Sequence, residues 1–260
     1  MNKTGFKLCF STLPCMDYTS EQLKKLCDDF KFDGVEVRLT ESTDFNFVDG
    51  LNVVDIGTSV NFKRYDEAQI KSAKEILDKI KDTDIKAIRV FLGNFAVMTT
   101  YAKEELSYDG IVKALQEISD YTDKEIWVET HNEFSSGRVL KKLMEDTDRE
   151  NVKIIWDIIH PVEEFETPEE TWEYIGKKVA HVHVKDGKRS ENPFKHEYDY
   201  TALGEGALPI KEILCILKKN NYDGYISLEW ENAWRPELRK YSMDINDILS
   251  GFIEFINQCV

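Results

Sequence analysis

Four short apolar runs in the second half of this chain each finish on a side chain that can bind a metal ion or move a proton. Ile126-Trp127-Val128 runs into Glu129, Ile154-Ile155-Trp156 into Asp157, Ala180-His181-Val182 into His183, and Tyr225-Ile226-Ser227-Leu228 into Glu229. Any one of them is explained by a strand that ends on a solvated polar residue. Four in succession form a pattern. Three carboxylates and one imidazole gathered in a water-poor mouth would repel one another, and a divalent cation relieves that repulsion. The set is rich in oxygen, has a single nitrogen and lacks thiolate. It suits one divalent ion, Mn²⁺ first, with Mg²⁺, Co²⁺ or Zn²⁺ as other candidates. Polar groups follow at matched offsets: His131 after Glu129, His160 after Asp157, Lys185 after His183 and Glu231 after Glu229. They are expected on the same rim.

The elements that must position these residues repeat along the chain. Eight apolar, β-branched runs read as strands: Phe6-Phe10, Gly34-Arg38, Asn52-Ile56, Ile85-Phe91, Glu125-Glu129, Val152-Asp157, Val179-Val184 and Gly224-Glu229. Helix signals separate most of them. Thr19-Ser20-Glu21-Gln22 and Thr167-Pro168-Glu169-Glu170 read as capping boxes, the second with proline at the first helical position. Ile70, Ala73, Leu77 and Ile80 make one apolar stripe, and Tyr108, Ile111, Leu115 and Ile118 another. Ser136-Met144, Pro209-Asn220 and Asp244-Gln258 fit further helices, whereas Thr40-Gly50 is polar and without helical period, so a loop is expected there. Parallel strands alternating with helices over about 250 residues predict an α/β fold of the (β/α)8 TIM-barrel type, as a single domain over 1–260. An open doubly wound sheet would carry a glycine-rich turn after the first strand, and Ser11-Thr12-Leu13-Pro14 stands there instead.

Composition narrows the class of partner. The chain has 260 residues and a formal charge of −15, from 34 basic and 49 acidic side chains. Such a surface repels phosphate backbones and anionic leaflets, so a small molecule is expected rather than nucleic acid or membrane. Five scattered cysteines without a C-x-x-C pair argue for reduced thiols, mostly packing residues. No run reaches the roughly 20 apolar residues of a spanning helix, and the start lacks a signal-peptide core, which points to a cytoplasmic protein.

Taken in order, Phe32-Asp33-Gly34-Val35-Glu36, Glu129-Thr130-His131-Asn132, Trp156-Asp157-Ile158-Ile159-His160-Pro161, His181-Val182-His183-Val184-Lys185-Asp186, Leu203-Gly204-Glu205-Gly206 and Leu228-Glu229 resemble the serial motifs of the xylose-isomerase-like superfamily of sugar phosphate isomerases and epimerases. The resemblance implies that Glu129, Asp157, His183 and Glu229 ligate the metal and that His160 and Lys185 touch substrate. It also implies a homo-oligomer, with the aromatic segments Trp234-Arg235-Pro236 and Phe45-Asn46-Phe47 as candidate contacts. Endonuclease-IV-like repair enzymes of the same superfamily use three metals, with histidines on the third and fourth strands and an Asp-x-His pair before the Leu-Gly-Glu-Gly turn. Here Leu51-Val60 and Ile85-Asn94 contain no histidine, and Tyr198-Asp199-Tyr200-Thr201 offers only Asp199. A trinuclear centre is not expected.

The function implied is a divalent-metal-dependent isomerase or epimerase that forms an enediolate on a ketose, an aldose or a related polyol. Glu129 and Glu229 are the expected catalytic acid/base pair, and His131, His160 and Lys185 the expected substrate contacts. A keto-inositol dehydratase-like lyase uses the same enolate and stays open. From other classes, so do an endonuclease-IV-like nuclease and a non-catalytic sugar-binding protein. Among individual residues, His181 is expected to face away from His183 and to pack between barrel and helices. Arg89, in an apolar strand, is expected to pair with a core carboxylate such as Glu36. His196 falls in Asp186-Tyr200, read as a polar loop; Leu203-Gly204-Glu205-Gly206 reads as a turn and Glu163-Glu164-Phe165-Glu166 as a solvated acidic run. Phe10, Phe91, Phe95, Trp127 and Trp156 read as core, and Trp230 and Trp234 could wall a sugar pocket.

Overall fold

The computed structural model describes residues 2–94, 105–192, 194–195 and 197–259. Phe95 and His196 therefore lie outside the described residues. Eight parallel strands form a nearly closed barrel: β1 (Lys7–Phe10), β2 (Val35–Arg38), β3 (Val53–Phe62), β4 (Ala87–Leu92), β5 (Glu125–Glu129), β6 (Val152–Asp157), β7 (Val179–Val184) and β10 (Tyr225–Leu228). Their order around the barrel is β1-β10-β7-β6-β5-β4-β3-β2. The seam between β1 and β2 is bridged at Ser11 and Glu36, where the Thr12 N–H donates to the Glu36 carbonyl at 2.9 Å.

Helices cover the outside for the reasons the sequence supplies. Thr19 caps α1 (Ser20–Phe30) in a capping box with Gln22, and Thr167 caps α6 (Pro168–Ile175) in a second one with Glu170. Ile70, Ala73, Leu77 and Ile80 are the buried stripe of α2 (Glu67–Ile80), while Ile111, Leu115 and Ile118 serve α3 (Tyr108–Asp120) in the same way. α4 (Gly137–Thr147), α7 (Ile210–Lys219) and α8 (Ile245–Cys259) fall where periodicity puts them, and the stretch from 40 to 50 is a loop. Among the described residues no helix is long and apolar enough to cross a membrane. All five cysteines are free, and Cys215 alone among them is exposed.

Three local readings change. β3 runs on to Phe62, well past Ile56, with a shift of register against β4 between Gly57 and Asn61. The stretch from Asp186 to Tyr200 contains an antiparallel hairpin, β8 (Asp186–Arg189) and β9 (Tyr198–Thr201), because its polar residues pair backbone to backbone beyond the end of β7. The acidic run is not simply solvated. Glu163 is buried and accepts the Tyr198 N–H at 2.8 Å, and Glu166 accepts the Gly137 N–H at 2.8 Å, occupying the N-terminus of α4.

Inside the barrel the strands build two different layers. The amino-terminal end is filled by Cys9, Val54, Ala87, Trp127, Ile155 and Tyr225, an apolar plug. Above it the inward positions turn polar and charged, and they lead to the rim formed by the carboxyl ends of the strands.

Candidate active site

Glu129 and Asp157 are the last residues of β5 and β6, His183 is the penultimate residue of β7, and Glu229 follows the last residue of β10. The strand register sets Asp157 beside His183 and Glu129 beside Ile155, so the four side chains enter one mouth from neighbouring strands. Their ligand atoms all lie within 4.8 Å of one another, and all four residues are buried. Three carboxylates and an imidazole converging at this spacing in a desolvated barrel end fit a divalent cation, which would neutralise charge that burial otherwise penalises. The group such an ion supplies is a Lewis acid beside the barrel mouth.

Electrostatics around the cluster are lopsided. Burial pushes the Glu129 carboxyl up to about 7; Arg89 pulls against that and Glu229 adds to it. Burial also raises Asp157. Glu229 goes the other way, because His183 and Lys185 outweigh its burial and hold it well below the usual carboxylate range. Glu229 and Glu36 raise the His183 pKa well above its ordinary value, against the effect of burial.

Lys185, expected at the rim as a substrate contact, is driven into the cluster itself. Its Nζ lies 2.6 Å from Asp157 Oδ2 and 2.5 Å from Glu231 Oε1, and it is ion-paired with Glu229. The next residue explains a second motif. The Asp186 carboxylate accepts backbone N–H groups from Gly204 at 2.9 Å and Gly206 at 3.1 Å, so the Leu-Gly-Glu-Gly turn wraps a buried anion. A Cβ at Gly206 would stand 1.9 Å from Asp186 Oδ1, which is why glycine is required there.

His160 sits on a short helix, α5 (Ile159–Glu163), just past the end of β6. Its Nδ1 is 3.0 Å from Glu163 Oε2 and its Nε2 is 3.4 Å from Asp157 Oδ2. Burial opposes its protonation, but Asp157 and Glu163 push its pKa up to about 9. His131 is half-buried, with Nδ1 2.7 Å from Asn132 Oδ1 and its ring 4.4 Å from that of His160. His131, His160 and Glu129 also offer ligand atoms within 4.8 Å of one another, which places both imidazoles at the mouth. Trp230 is buried against Tyr241 and Trp234 is exposed.

Two readings are corrected by partners from the other half of the barrel. Arg89 pairs with Glu129, not Glu36: its Nη1 lies 2.7 Å from Glu129 Oε2. Gly57 makes room for it, since a Cβ there would meet Arg89 Nη2 at 3.1 Å. His181 does not face away from His183. Residues two apart on a strand share a face, and both imidazoles are fully buried and reach Glu36 Oε2, His183 Nε2 at 2.7 Å and His181 Nε2 at 3.1 Å. The fitting of Glu36 to these histidines was missed in the sequence because nothing in spacing links β2 to β7. The only signal was an acidic residue inside an apolar strand. Asp199, the candidate for a third metal's ligand, has Oδ1 2.5 Å from Lys195 Nζ.

Known proteins share this architecture. A stretch of 125 residues is 30% identical to inosose dehydratase of Clostridium botulinum, covering 42% of this chain and 42% of that protein. The match thus spans less than half the length of that curated relative. Among solved structures, an IOLI protein with a bound zinc atom superposes with a TM-score of 0.78 at 18% identity, over 98% of this chain and 99% of the other. D-allulose 3-epimerase from Methylomonas sp. does so with a TM-score of 0.71 at 17% identity, over 98% of each. The family model described as xylose isomerase-like TIM barrel matches residues 3–247. With nearly the whole barrel matched, the chain belongs to the xylose isomerase-like TIM barrel family.

Proposed function

We propose that the protein is a divalent-metal-dependent enzyme that moves a proton on the carbon beside a carbonyl of a sugar or related polyol, as an isomerase or epimerase. The observation that carries this is the convergence of Glu129, Asp157, His183 and Glu229 on one point, with two glutamates among them from strands on different sides of the cluster. The ion, Mn²⁺ by the hardness of the oxygen-rich set, would polarise the carbonyl and make the neighbouring C–H acidic. Glu129 and Glu229 take and return the proton, Asp157 and His183 hold the ion, and His131, His160 and Lys185 orient hydroxyl and carbonyl oxygens. The relatives named above include a protein named as a dehydratase and one named as a 3-epimerase, which supports an enzyme of this kind.

A keto-inositol dehydratase is the second reading, favoured by the 30% identity to inosose dehydratase. It starts with the same proton removal and then expels a hydroxyl. Incubation of the Mn²⁺-loaded protein in D₂O with a panel of ketoses, aldoses and keto-inositols, followed by NMR, separates the two. Deuterium at the carbon next to the carbonyl with a new epimer or isomer supports the first. Loss of water from a keto-inositol supports the second. No exchange and no product with any of them overturns both.

A further inference from the structure

We infer that Glu36 is a positioning residue for the metal site, a single carboxylate oxygen that fixes the ring of His183 with His181 as its second anchor. The inference rests on the metal site of the proposed function. Glu36 Oε2 receives two imidazole nitrogens at once, His183 Nε2 at 2.7 Å and His181 Nε2 at 3.1 Å. An ionised carboxylate only accepts, so each histidine presents its Nε2–H to Glu36, and the other ring nitrogen is free to do something else. For His183 that nitrogen is Nδ1, which points at the cluster, 3.2 Å from Glu229 Oε2 and 3.9 Å from Glu129 Oε1. A histidine whose far nitrogen is tied to a carboxylate while the near one faces carboxylate ligands is the arrangement by which outer groups orient a metal ligand and raise its basicity.

His181 is placed to hold the carboxylate, not the ion. It lies one inward position deeper on β7, with its ring stacked on Trp127 at a centroid distance of 5.2 Å and an interplanar angle of 23°. Trp127 belongs to the apolar plug, and its indole N–H donates to Glu125 Oε2 at 2.6 Å. The chain of contact therefore runs from the packed floor of the barrel through Trp127 and His181 to Glu36, and from Glu36 to His183. Glu36 is itself anchored at the β1–β2 seam, where its carbonyl accepts the Thr12 N–H. A carboxylate pinned from below and along its own backbone can hold the imidazole above it within the narrow angular range that a metal ligand needs.

A merely structural role, satisfying two buried histidines, would change stability and leave the ion's affinity alone. Mn²⁺ affinity is therefore the measurement, read as the free-ion EPR signal during titration of the full chain, with folding of each variant checked by circular dichroism. Glu36→Ala is expected to weaken Mn²⁺ binding about 10–100-fold. Glu36→Gln keeps an acceptor oxygen and should recover part of that loss. His181→Phe keeps the stack on Trp127 but removes one donor, and should produce a smaller loss than Glu36→Ala. If Glu36→Ala does not fold, the other two variants carry the test. Wild-type affinity in every folded variant overturns the inference and leaves the metal site standing. A wild-type chain that takes up no Mn²⁺ overturns the proposed function and this inference with it.

Discussion

The two halves of the barrel do different work with the same architecture. Strands β5, β6, β7 and β10 end on Glu129, Asp157, His183 and Glu229, whose ligand atoms meet at the mouth. Strands β1 to β4 place none of these four, yet they support them: Glu36 reaches across the interior from β2 to His183, and Arg89 reaches from β4 to Glu129 on the neighbouring β5. One half presents the chemistry and the other holds its charge and orientation. A parallel barrel permits this because every inward side chain faces residues far away in sequence, so a ligand and its support need not share a strand. The lesson is that removing a group from the presenting half should cost function first, and removing one from the supporting half should cost stability or affinity first.

The largest expected effect tests the presenting half. Glu229→Gln keeps the size of the side chain and an oxygen that can coordinate, but an amide cannot accept the substrate's proton. At saturating Mn²⁺, turnover of the substrate identified by deuterium exchange should fall about 10²–10⁴-fold, the usual contribution of general acid–base catalysis. Mn²⁺ occupancy, measured by elemental analysis, should fall by much less. Glu129→Gln should behave in the same way if the two glutamates work from opposite sides. Near wild-type turnover in both, fully loaded, would remove them from the chemistry and send the search for the proton carrier to His160 or Lys185.

That asymmetry also decides what the sequence could reveal. The presenting residues are legible because each stands where an apolar run stops, a purely local signal. The barrel itself is legible for the same reason, since strand runs, capping boxes such as Thr167 with Glu170, and stripes such as that of α2 are all short-range patterns. The supporting contacts are not. Nothing near Arg89 says that its partner is Glu129 across the β4–β5 pair rather than Glu36, and the choice depends on which inward layer each side chain occupies. The hairpin of β8 and β9 hides among polar residues because only Tyr198 and Tyr200 of β9 join the apolar core, too short a run to read as a strand. His181 is a different case. Its two-residue spacing from His183 already puts both on one face, and only the identity of the shared partner required the fold.

Arg89 offers the next largest effect and tests the supporting half. The Arg89–Glu129 pair is almost wholly buried, with side chains 6% and 2% exposed. Removing one member of a buried pair leaves an uncompensated charge and commonly costs about 3–5 kcal/mol. Arg89→Met should therefore destabilise the EDTA-treated protein by up to that order in urea unfolding at alkaline pH, where Glu129 is ionised, and by less near neutrality, where Glu129 takes up a proton. Adding Glu129→Gln to it should recover much of the loss, since the stranded charge is then gone. Breaking the exposed Lys24–Asp28 pair, whose side chains are 33% and 63% exposed, should cost below about 1 kcal/mol. Mn²⁺ should shrink the Arg89→Met deficit by supplying positive charge at Glu129. At alkaline pH, a deficit as small as that of the surface pair would mean that Glu129 does not depend on the supporting half.

The smallest effect sharpens the comparison within the presenting half, at His160, which is held by its own neighbours Asp157 and Glu163 rather than from across the barrel. Its folded pKa of about 9 lies above the value of about 6.5 expected for an unfolded histidine. A group whose pKa is raised on folding stabilises the fold fully below its unfolded pKa, and that contribution disappears as the pH rises through the folded value. The stability difference between the wild-type chain and His160→Gln, both in EDTA, should therefore be greatest near pH 6. It should decline between about pH 6.5 and 9 and level off above that window, the plateau being whatever the substitution costs in packing alone. The pH-dependent part has an upper bound of about 3.4 kcal/mol, from roughly 2.5 pKa units at 1.36 kcal/mol each, and solvent relaxation will reduce it. Urea unfolding at five or six pH values measures it. A difference that is flat with pH would show that His160 is neutral beside Asp157 and Glu163, and would favour a hydrogen-bonding role for it at the mouth over that of a cation.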